Sequence, residues 1–418
     1  MSRIDALIAE LCPEGVEFRA LADVTVRGSN IRWANAGDAE FQYIDLSSVD
    51  RTTGRIGETA TICADDAPSR AQQVVREGDV IFATTRPTQM RWAVIPTAFD
   101  GEIASTGYCV LRPVQNQVLT NFLAHNLGTD RFCKYVEQKQ VPGNYPSIPD
   151  NRVREFRIPL PPLEIQREIV AILDRFTKLE AELEAELEAR RRQYQHYRDT
   201  LLSFAERTDS QASKQASKQA TRIMALGEIG NFTRGSGIQK SDFKESGAGC
   251  IHYGQIHTHY GVWAKATKSF VSPEYAARLR KARQGDLVIA TTSEDDEAVA
   301  KAVAWLGDED VAVSTDAYIF HHSMDPKYVA YFFQTEDFQT QKKSHITGTK
   351  VRRISGERLA KIRIPVPPLE EQERIVAILD RFDALVNDLS SGLPAEIRAR
   401  RQQYEHYRDR LLTFAEAA

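Results

Sequence analysis

Apolar residues recur at alternating steps of three and four along two stretches of this chain. In the first, Ile169, Leu173, Phe176, Leu183, Leu187, Tyr194, Tyr197, Leu201 and Phe204 hold that register, interrupted only at Glu180 and Arg190. In the second, Ile375, Leu379, Phe382, Val386, Leu389, Leu393, Ile397, Tyr404, Tyr407, Leu411 and Phe414 repeat it. A period near 3.5 predicts a coiled-coil seam. Each stretch opens on Pro-Pro-Leu-Glu, at 161–164 and 367–370. Proline suits a helix's first turn and a carboxylate suits its positive end. A helix over residues 163–205 would be roughly 64 Å long at ~1.5 Å per residue. The step Leu389–Leu393–Ile397 is four plus four, a stutter, and Gly392 and Pro394 beside it predict a kink or break.

The two stretches are copies. Pro159 and Pro365 stand 206 residues apart, as do Phe176 and Phe382, whereas Tyr194 and Tyr404 stand 210 apart. Four extra residues therefore enter the second copy in its middle. The tails at 193–206 and 403–416 agree at 11 of 14 positions. Such a repeat sets the architecture. Two seam helices separated by a long intervening segment are expected to pair antiparallel, because a ~64 Å return path excludes a short turn.

Outside the two helices the pattern shortens to strand length. Ile4, Leu7, Ile8 and Leu11 mark a short amphipathic helix stopped by Pro13 and Gly15. Residues 41–46, 80–84, 91–95 and 108–111 read as strands, and 119–137 as a helix. Residues 222–364 repeat this domain loosely: Gly78-Asp79-Val80 with Ala83-Thr84-Thr85 returns as Gly285-Asp286-Leu287 with Ala290-Thr291-Thr292. The polar run at 208–221 reads as a flexible linker. The fold class expected is α+β, with two similar α/β domains separated by two long helices forming an antiparallel coiled coil. Its parts are 1–157 (first domain), 158–207 (central helix), 208–221 (linker), 222–364 (second domain) and 365–418 (C-terminal helix). Near-identical helices suggest one task done twice, and divergent domains suggest two different targets.

Composition adds bounds. With 418 residues, 42% hydrophobic and 27% charged, the chain has the makeup of a soluble protein with several cores. No apolar run reaches membrane-spanning length, no signal peptide is evident, and the five cysteines are scattered, so a cytoplasmic location is expected. The net charge of −4 argues against nucleic acid, but acid crowds at Glu180, Glu182, Glu184, Glu186 and Glu188. Residues 342–363 instead carry eight basic side chains (Lys342, Lys343, Lys350, Arg352, Arg353, Arg358, Lys361, Arg363) against one acid, Glu357. A local cluster of this kind is an electrostatic footprint for DNA.

Catalytic chemistry is not apparent. There is no phosphate-binding loop, and Arg234-Gly235-Ser236-Gly237 lacks the rest of a dinucleotide fingerprint. His252, His257 and His259 lack an acidic or cysteine ligand at suitable spacing, so a surface strand reads better than a metal site. Thr84-Thr85-Arg86 and Thr291-Thr292-Ser293 follow apolar strands. Strand-end packing explains them as well as DNA contact does.

The residues at 158–164 with Gln166 and 169–176, their twins at 364–370, Gln372 and 375–382, and the Tyr-x-x-Tyr-Arg-Asp endings at 194–199 and 404–409 point one way. Across essentially the whole chain they resemble the specificity subunits of type I restriction–modification enzymes. The resemblance implies two target recognition domains, each reading half of an asymmetric split DNA sequence. It implies two methyltransferase subunits on the helices, joined by restriction and translocase subunits. The chain itself would have no catalytic residue, metal or cofactor; S-adenosylmethionine, ATP and Mg would belong to its partners. Candidate DNA contacts are Thr84, Thr85, Arg86, Arg91, Lys139, Asn144 and Tyr145 in the first domain. In the second they are Arg234, Thr291, Thr292, Ser293, Lys343, His345, Thr347, Lys350, Arg352 and Arg353. An antiparallel helix pair carries an approximate two-fold axis, as duplex DNA does, so two half-sites about one helical turn apart are expected. The rival reading is an adaptor whose coiled coil joins two protein-binding modules.

Overall fold

A computed structural model describes residues 3–204, 221–388 and 390–417; the linker at 208–220 and the seam position Leu389 lie outside them. The chain divides into two compact units, Met1–Glu184 with Glu396–Ala418, and Ala185–Ala395. Each unit therefore holds one domain and a length of each seam stretch.

In the first unit, the strand Phe18–Ala20 pairs antiparallel with Arg157–Pro159, so the domain starts and ends on one ribbon. Above it, Val80–Ala83 lies between Tyr108–Pro113 and Trp92–Val94, all antiparallel. A five-stranded sheet follows, with Phe41–Ile44 beside Ile103–Ser105 in parallel. All four residues of Val80–Ala83 are buried, as a central strand requires. The second unit repeats the plan. Arg222–Ala225 pairs with Arg363–Val366, Leu287–Ala290 lies between Ala317–His322 and Ala302–Trp305, and Ala248–Ile251 runs parallel to Val311–Val313.

The repeated Gly-Asp has a structural cause. Gly78 and Gly285 turn with φ of 80° and 93°, a region that glycine enters at least cost. The aspartate that follows anchors the strand start. Asp79, fully buried, accepts two 2.8 Å bonds from the Arg112 guanidinium. Asp286 meets His321 Nδ1 at 2.8 Å.

The helix expected over 119–137 is two, Thr120–Leu127 and Asp130–Lys139. Gly128 ends the first, and the Thr129 hydroxyl caps the second by accepting from Phe132 N–H at 3.3 Å. Apolar periodicity ran through a break that this Gly-Thr pair imposes. His252 to His259 is likewise no strand: Tyr253–Thr258 is a short helix capped by His252.

The central helix is continuous over Leu163–Ser203, 41 residues. The C-terminal stretch is two helices, Leu369–Asn387 and Leu393–Leu411. A side chain at Gly392 would meet the carbonyl of Ala384 at 2.5 Å, so the turn between them needs glycine there.

Seam residues pack within each unit. In the first, Ile169 and Leu173 are buried, and the rings of Phe176 and Tyr407 stack 5.4 Å apart. Glu180, which interrupts the apolar register, accepts from Arg401 Nε at 2.7 Å, and Arg401 also reaches Glu184 at 3.3 Å. Position rises from 176 to 184 on one helix as it falls from 407 to 401 on the other, so the pair is antiparallel. In the second unit, Leu187, Tyr194, Ile375 and Leu379 are buried, and Tyr194 and Tyr197 stack on Phe382. Near the ends of the helices the register shifts by one. Leu202 and Leu412 are buried, while Leu201 and Leu411 are only partly so. Leu183 and Leu393 are half-buried.

Candidate nucleic-acid interface

Each seam helix is stitched to its domain by the repeated glutamine. Gln166, fully buried, accepts from Leu119 N–H at 3.0 Å and donates to the carbonyls of Gln117 and Pro161 at 2.9 and 2.8 Å. Gln372 accepts from Asp325 N–H at 2.9 Å and donates to Pro367 at 2.8 Å. Both thereby hold the start of a domain helix, Thr120–Leu127 or Pro326–Phe332. The repeated aspartates continue the same docking. Asp174 meets His125 Nε2 at 3.0 Å and Asn121 Nδ2 at 2.9 Å, while His125 Nδ1 faces the Tyr404 hydroxyl at 2.9 Å. In the second unit, Asp380 accepts from Tyr331 at 2.7 Å and Lys327 at 2.7 Å. Burial pushes the Asp174 carboxyl up, but the bonds from His125 and Asn121 outweigh it and leave the group below its ordinary range. Sequence reading missed this set. Its one signal was the polar His125-Asn126 pair inside an apolar helix.

With the domains held so, the divergent segments gather at strand ends. In the first domain, Thr85 bridges to Ser147, Ile148 N–H donates to the Thr84 carbonyl at 2.9 Å, and Arg86 N–H donates to Pro146 at 2.7 Å. Those bonds place Thr85 and Arg86 beside Asn144 and Tyr145. The Arg86 guanidinium lies 5.1 Å from the centroid of the Tyr145 ring. Arg91 stands across the same hairpin, since Ala83 N–H donates to its carbonyl at 2.9 Å, and its guanidinium reaches the Leu46 carbonyl. Lys139, exposed, ends the helix that leads into this segment.

The second domain makes the same pairing. Thr292-Ser293 pairs antiparallel with Arg352-Arg353, and Thr347 bridges to Arg353. Arg234 is turned instead to the loop at 315–316, donating from Nε to the Thr315 carbonyl at 3.0 Å and lying 3.8 Å from the Asp316 carboxylate. Lys343, Lys350 and Arg353 are exposed, and His345 is half-buried, with its carbonyl accepting from Arg358 at 2.9 Å.

Two expectations are corrected here. The threonines that end the strands are packing residues. Thr84 is buried and donates to the Gly107 carbonyl at 2.9 Å; Thr291 and Thr292 are buried as well. Only Thr85, Arg86 and Ser293 of the two runs reach the surface. The eight-to-one basic excess at 342–363 is also smaller in space than in sequence. Lys342 is 1% exposed, gives its ammonium protons to the carbonyls of Glu297 and Val299 at 2.9 Å, and burial pulls its pKa down to about 8. Arg352 is paired with Asp296 at 2.9 Å. Asp296 belongs to the acidic run Glu294-Asp295-Asp296-Glu297, which lies some 50 residues away in the chain and folds against the basic hairpin.

The hairpin loops are also strained. Arg86, Met90 and Ala300 adopt positive φ of 50°, 50° and 66°, which side-chain-bearing residues rarely do. Met90 and Ala300 occupy matching places, each one residue before the amino acid whose carbonyl accepts from Ala83 or Ala290. The same strained turn therefore recurs in both domains, held by the same backbone bond.

Among the described residues no helix is long and apolar enough to cross a membrane. The family model described as the type I restriction modification DNA specificity domain matches the chain twice, over residues 13–189 and 221–399. The chain is 32% identical over 313 residues to the EcoR124I/EcoR124II type I restriction enzyme specificity subunit of Escherichia coli, covering 72% of each. It is similar to a chain in a solved structure concerned with complex assembly and conformational transition of the type I R-M system. That likeness has a TM-score of 0.65 and 26% identity, over 96% of this chain and 98% of the other. A type I S subunit from M. genitalium shares the fold, with a TM-score of 0.52 at 14% identity over 95% and 96% of the two chains.

Proposed function

The chain belongs to the type I restriction–modification DNA specificity family, as a non-catalytic recognition subunit, and we propose that each domain reads one half of a split, asymmetric duplex DNA site. The observation that carries this reading is the repeated strand-end pairing. Thr85 with Ser147 and Thr292 with Arg353 build the same platform, yet the residues displayed on it differ. One fold presenting two sets of side chains suits two half-sites of different sequence. Base identity would be read in the major groove, with Lys139, Lys343, Lys350 and Arg353 on phosphates.

Assembly with the other subunits of the system follows from the family. In finer terms, two methyltransferase subunits would use the paired seam helices, because those helices are near copies. Restriction and translocase subunits would join that core. S-adenosylmethionine, ATP and Mg would be bound by those partners, and the complex would act in the cytoplasm.

The test is methylation mapping of DNA exposed to this chain together with its methyltransferase subunits. One asymmetric motif, split by an unspecified spacer, is expected, with no methyl transfer by the purified chain alone. A continuous or palindromic motif would overturn the reading. Binding to duplex DNA that does not weaken with salt would favour the protein-adaptor alternative.

A further inference from the structure

We infer that Arg86 reads a guanine in the half-site met by the first domain, and that the second domain has no counterpart to it. This deepens the DNA-recognition reading above and rests on it. Arg86 is exposed at the hairpin end, but its backbone is not free. It holds φ 50° and ψ 53°, and its N–H is tied to Pro146 at 2.7 Å. A non-glycine residue kept in that region is fixed by its surroundings. The side chain is oriented too. Tyr145, 69% exposed, presents its ring to the guanidinium at 5.1 Å. Stacking against a ring fixes the plane of an arginine while leaving its N–H fork available. Among the described residues the Arg86 guanidinium meets the Tyr145 ring and no carboxylate. Arg352, in contrast, is held by Asp296 and by the Gly348 carbonyl at 2.7 Å.

The surroundings select the base. Arg86 and Tyr145 line a cavity of about 510 Å³ that also receives Arg70, Arg91, Thr85 and Gln89, with no acidic residue in its wall. The Nε of Arg91 is buried without a hydrogen-bond partner among the described residues. Such a wall offers mainly donors. Guanine shows two acceptors, N7 and O6, in the major groove; adenine and cytosine each present an amino donor there, and thymine offers the single acceptor O4 beside its methyl group. A rigid arginine fork matches the guanine edge. In the second domain, register puts Ser293 at the place of Arg86 and Val351 at that of Tyr145, beside the acidic run 294–297. With a hydroxyl and an aliphatic side chain at those two places, that platform cannot make the same contact.

The test uses the chain in complex with its methyltransferase subunits. Methylation mapping with Arg86→Ala should relax one fixed guanine of one half-site and leave the other half unchanged. Discrimination at that position should fall roughly 10- to 100-fold. Tyr145→Ala should shift the same position to a smaller degree. Should Arg86→Ala abolish assembly, the wild-type complex decides the matter. With 7-deazaguanine at each guanine of the site in turn, binding should weaken about tenfold at one position. Inosine there should be tolerated, because it keeps N7 and O6. A half-site without guanine, an unchanged motif in Arg86→Ala, or indifference to 7-deazaguanine overturns the inference. A wild-type complex that methylates no split motif overturns the recognition reading instead, so the two failures are distinguishable.

Discussion

Lys342 shows why a count of basic residues along the sequence overstates a DNA-binding face. It stands in the densest cationic stretch of the chain, yet it is an internal strut, with its ammonium group capped by two carbonyls. A carboxylate at that place would face those carbonyls without water. Lys342→Glu should therefore lower the stability of the second domain by roughly 3–5 kcal/mol, measured by thermal or urea unfolding. Lys342→Met should fold and leave the salt dependence of DNA binding unchanged. The titration of Lys342 gives a signed pH effect. Its pKa is about 8 in the fold against an ordinary 10.5, so between those values the unfolded chain holds more protons. Stability then rises with pH. Wild type should gain stability relative to Lys342→Met as pH goes from about 8 to about 10, and the difference should be flat below 8. A slope of the other sign would mean that the amine is not desolvated in solution. None of this was legible in the sequence, since the residues that bury Lys342 come from a loop about 45 positions earlier.

Elements were legible where periodicity and spacing act locally. The seam, the proline-led helix starts and the repeated Gly-Asp turn all rest on nearest-neighbour geometry, and each has a counterpart in the structure. The interruption at Glu180 is where the Arg401 guanidinium crosses the seam. Hidden from the sequence were the consequences of pairing distant segments. The acidic run 294–297 neutralises part of the basic hairpin, and the Gly128-Thr129 break is outvoted by the apolar residues on either side. The hairpin 347–353 carries its own prediction. Lys350→Glu with Arg353→Glu should weaken DNA binding and flatten its salt dependence by about one unit of slope for each phosphate no longer neutralised. Arg352→Gln should do less, because Arg352 is already neutralised by Asp296. Equal effects from all three would mean that the ion pair opens on DNA. At the helix starts, Gln166→Ala and Gln372→Ala should each cost about 1–3 kcal/mol, since each leaves buried backbone groups without partners. Hydrogen exchange should show the first turn of Thr120–Leu127 or Pro326–Phe332 opening sooner.

At the scale of the whole chain, the central helix carries one feature that bears on the target rather than on the fold. Residues 179–189 read LEAELEAELEA, a four-residue unit repeated, and the second seam stretch differs from the first by four residues. Leu187 of that unit is buried and Leu183 half-buried, so the leucines are seam residues and not a solvated decoration. A further Leu-Glu-Ala-Glu inserted after Glu186 keeps the leucine stripe and lengthens the helical path by ~6 Å, with ~40° of rotation beyond one full turn. One base pair advances ~3.4 Å and about 34° along duplex DNA. The added path thus corresponds to one to two base pairs. The half-site readers lie in the domains, far from the insertion in sequence, and should be untouched. The insertion variant is expected to methylate a motif whose two halves are unchanged and whose spacer is longer by one or two base pairs. Methylation mapping checks this directly. An unchanged spacer would show that the helix does not set the distance between half-sites, and altered half-sites would show that the insertion disturbs the domains themselves.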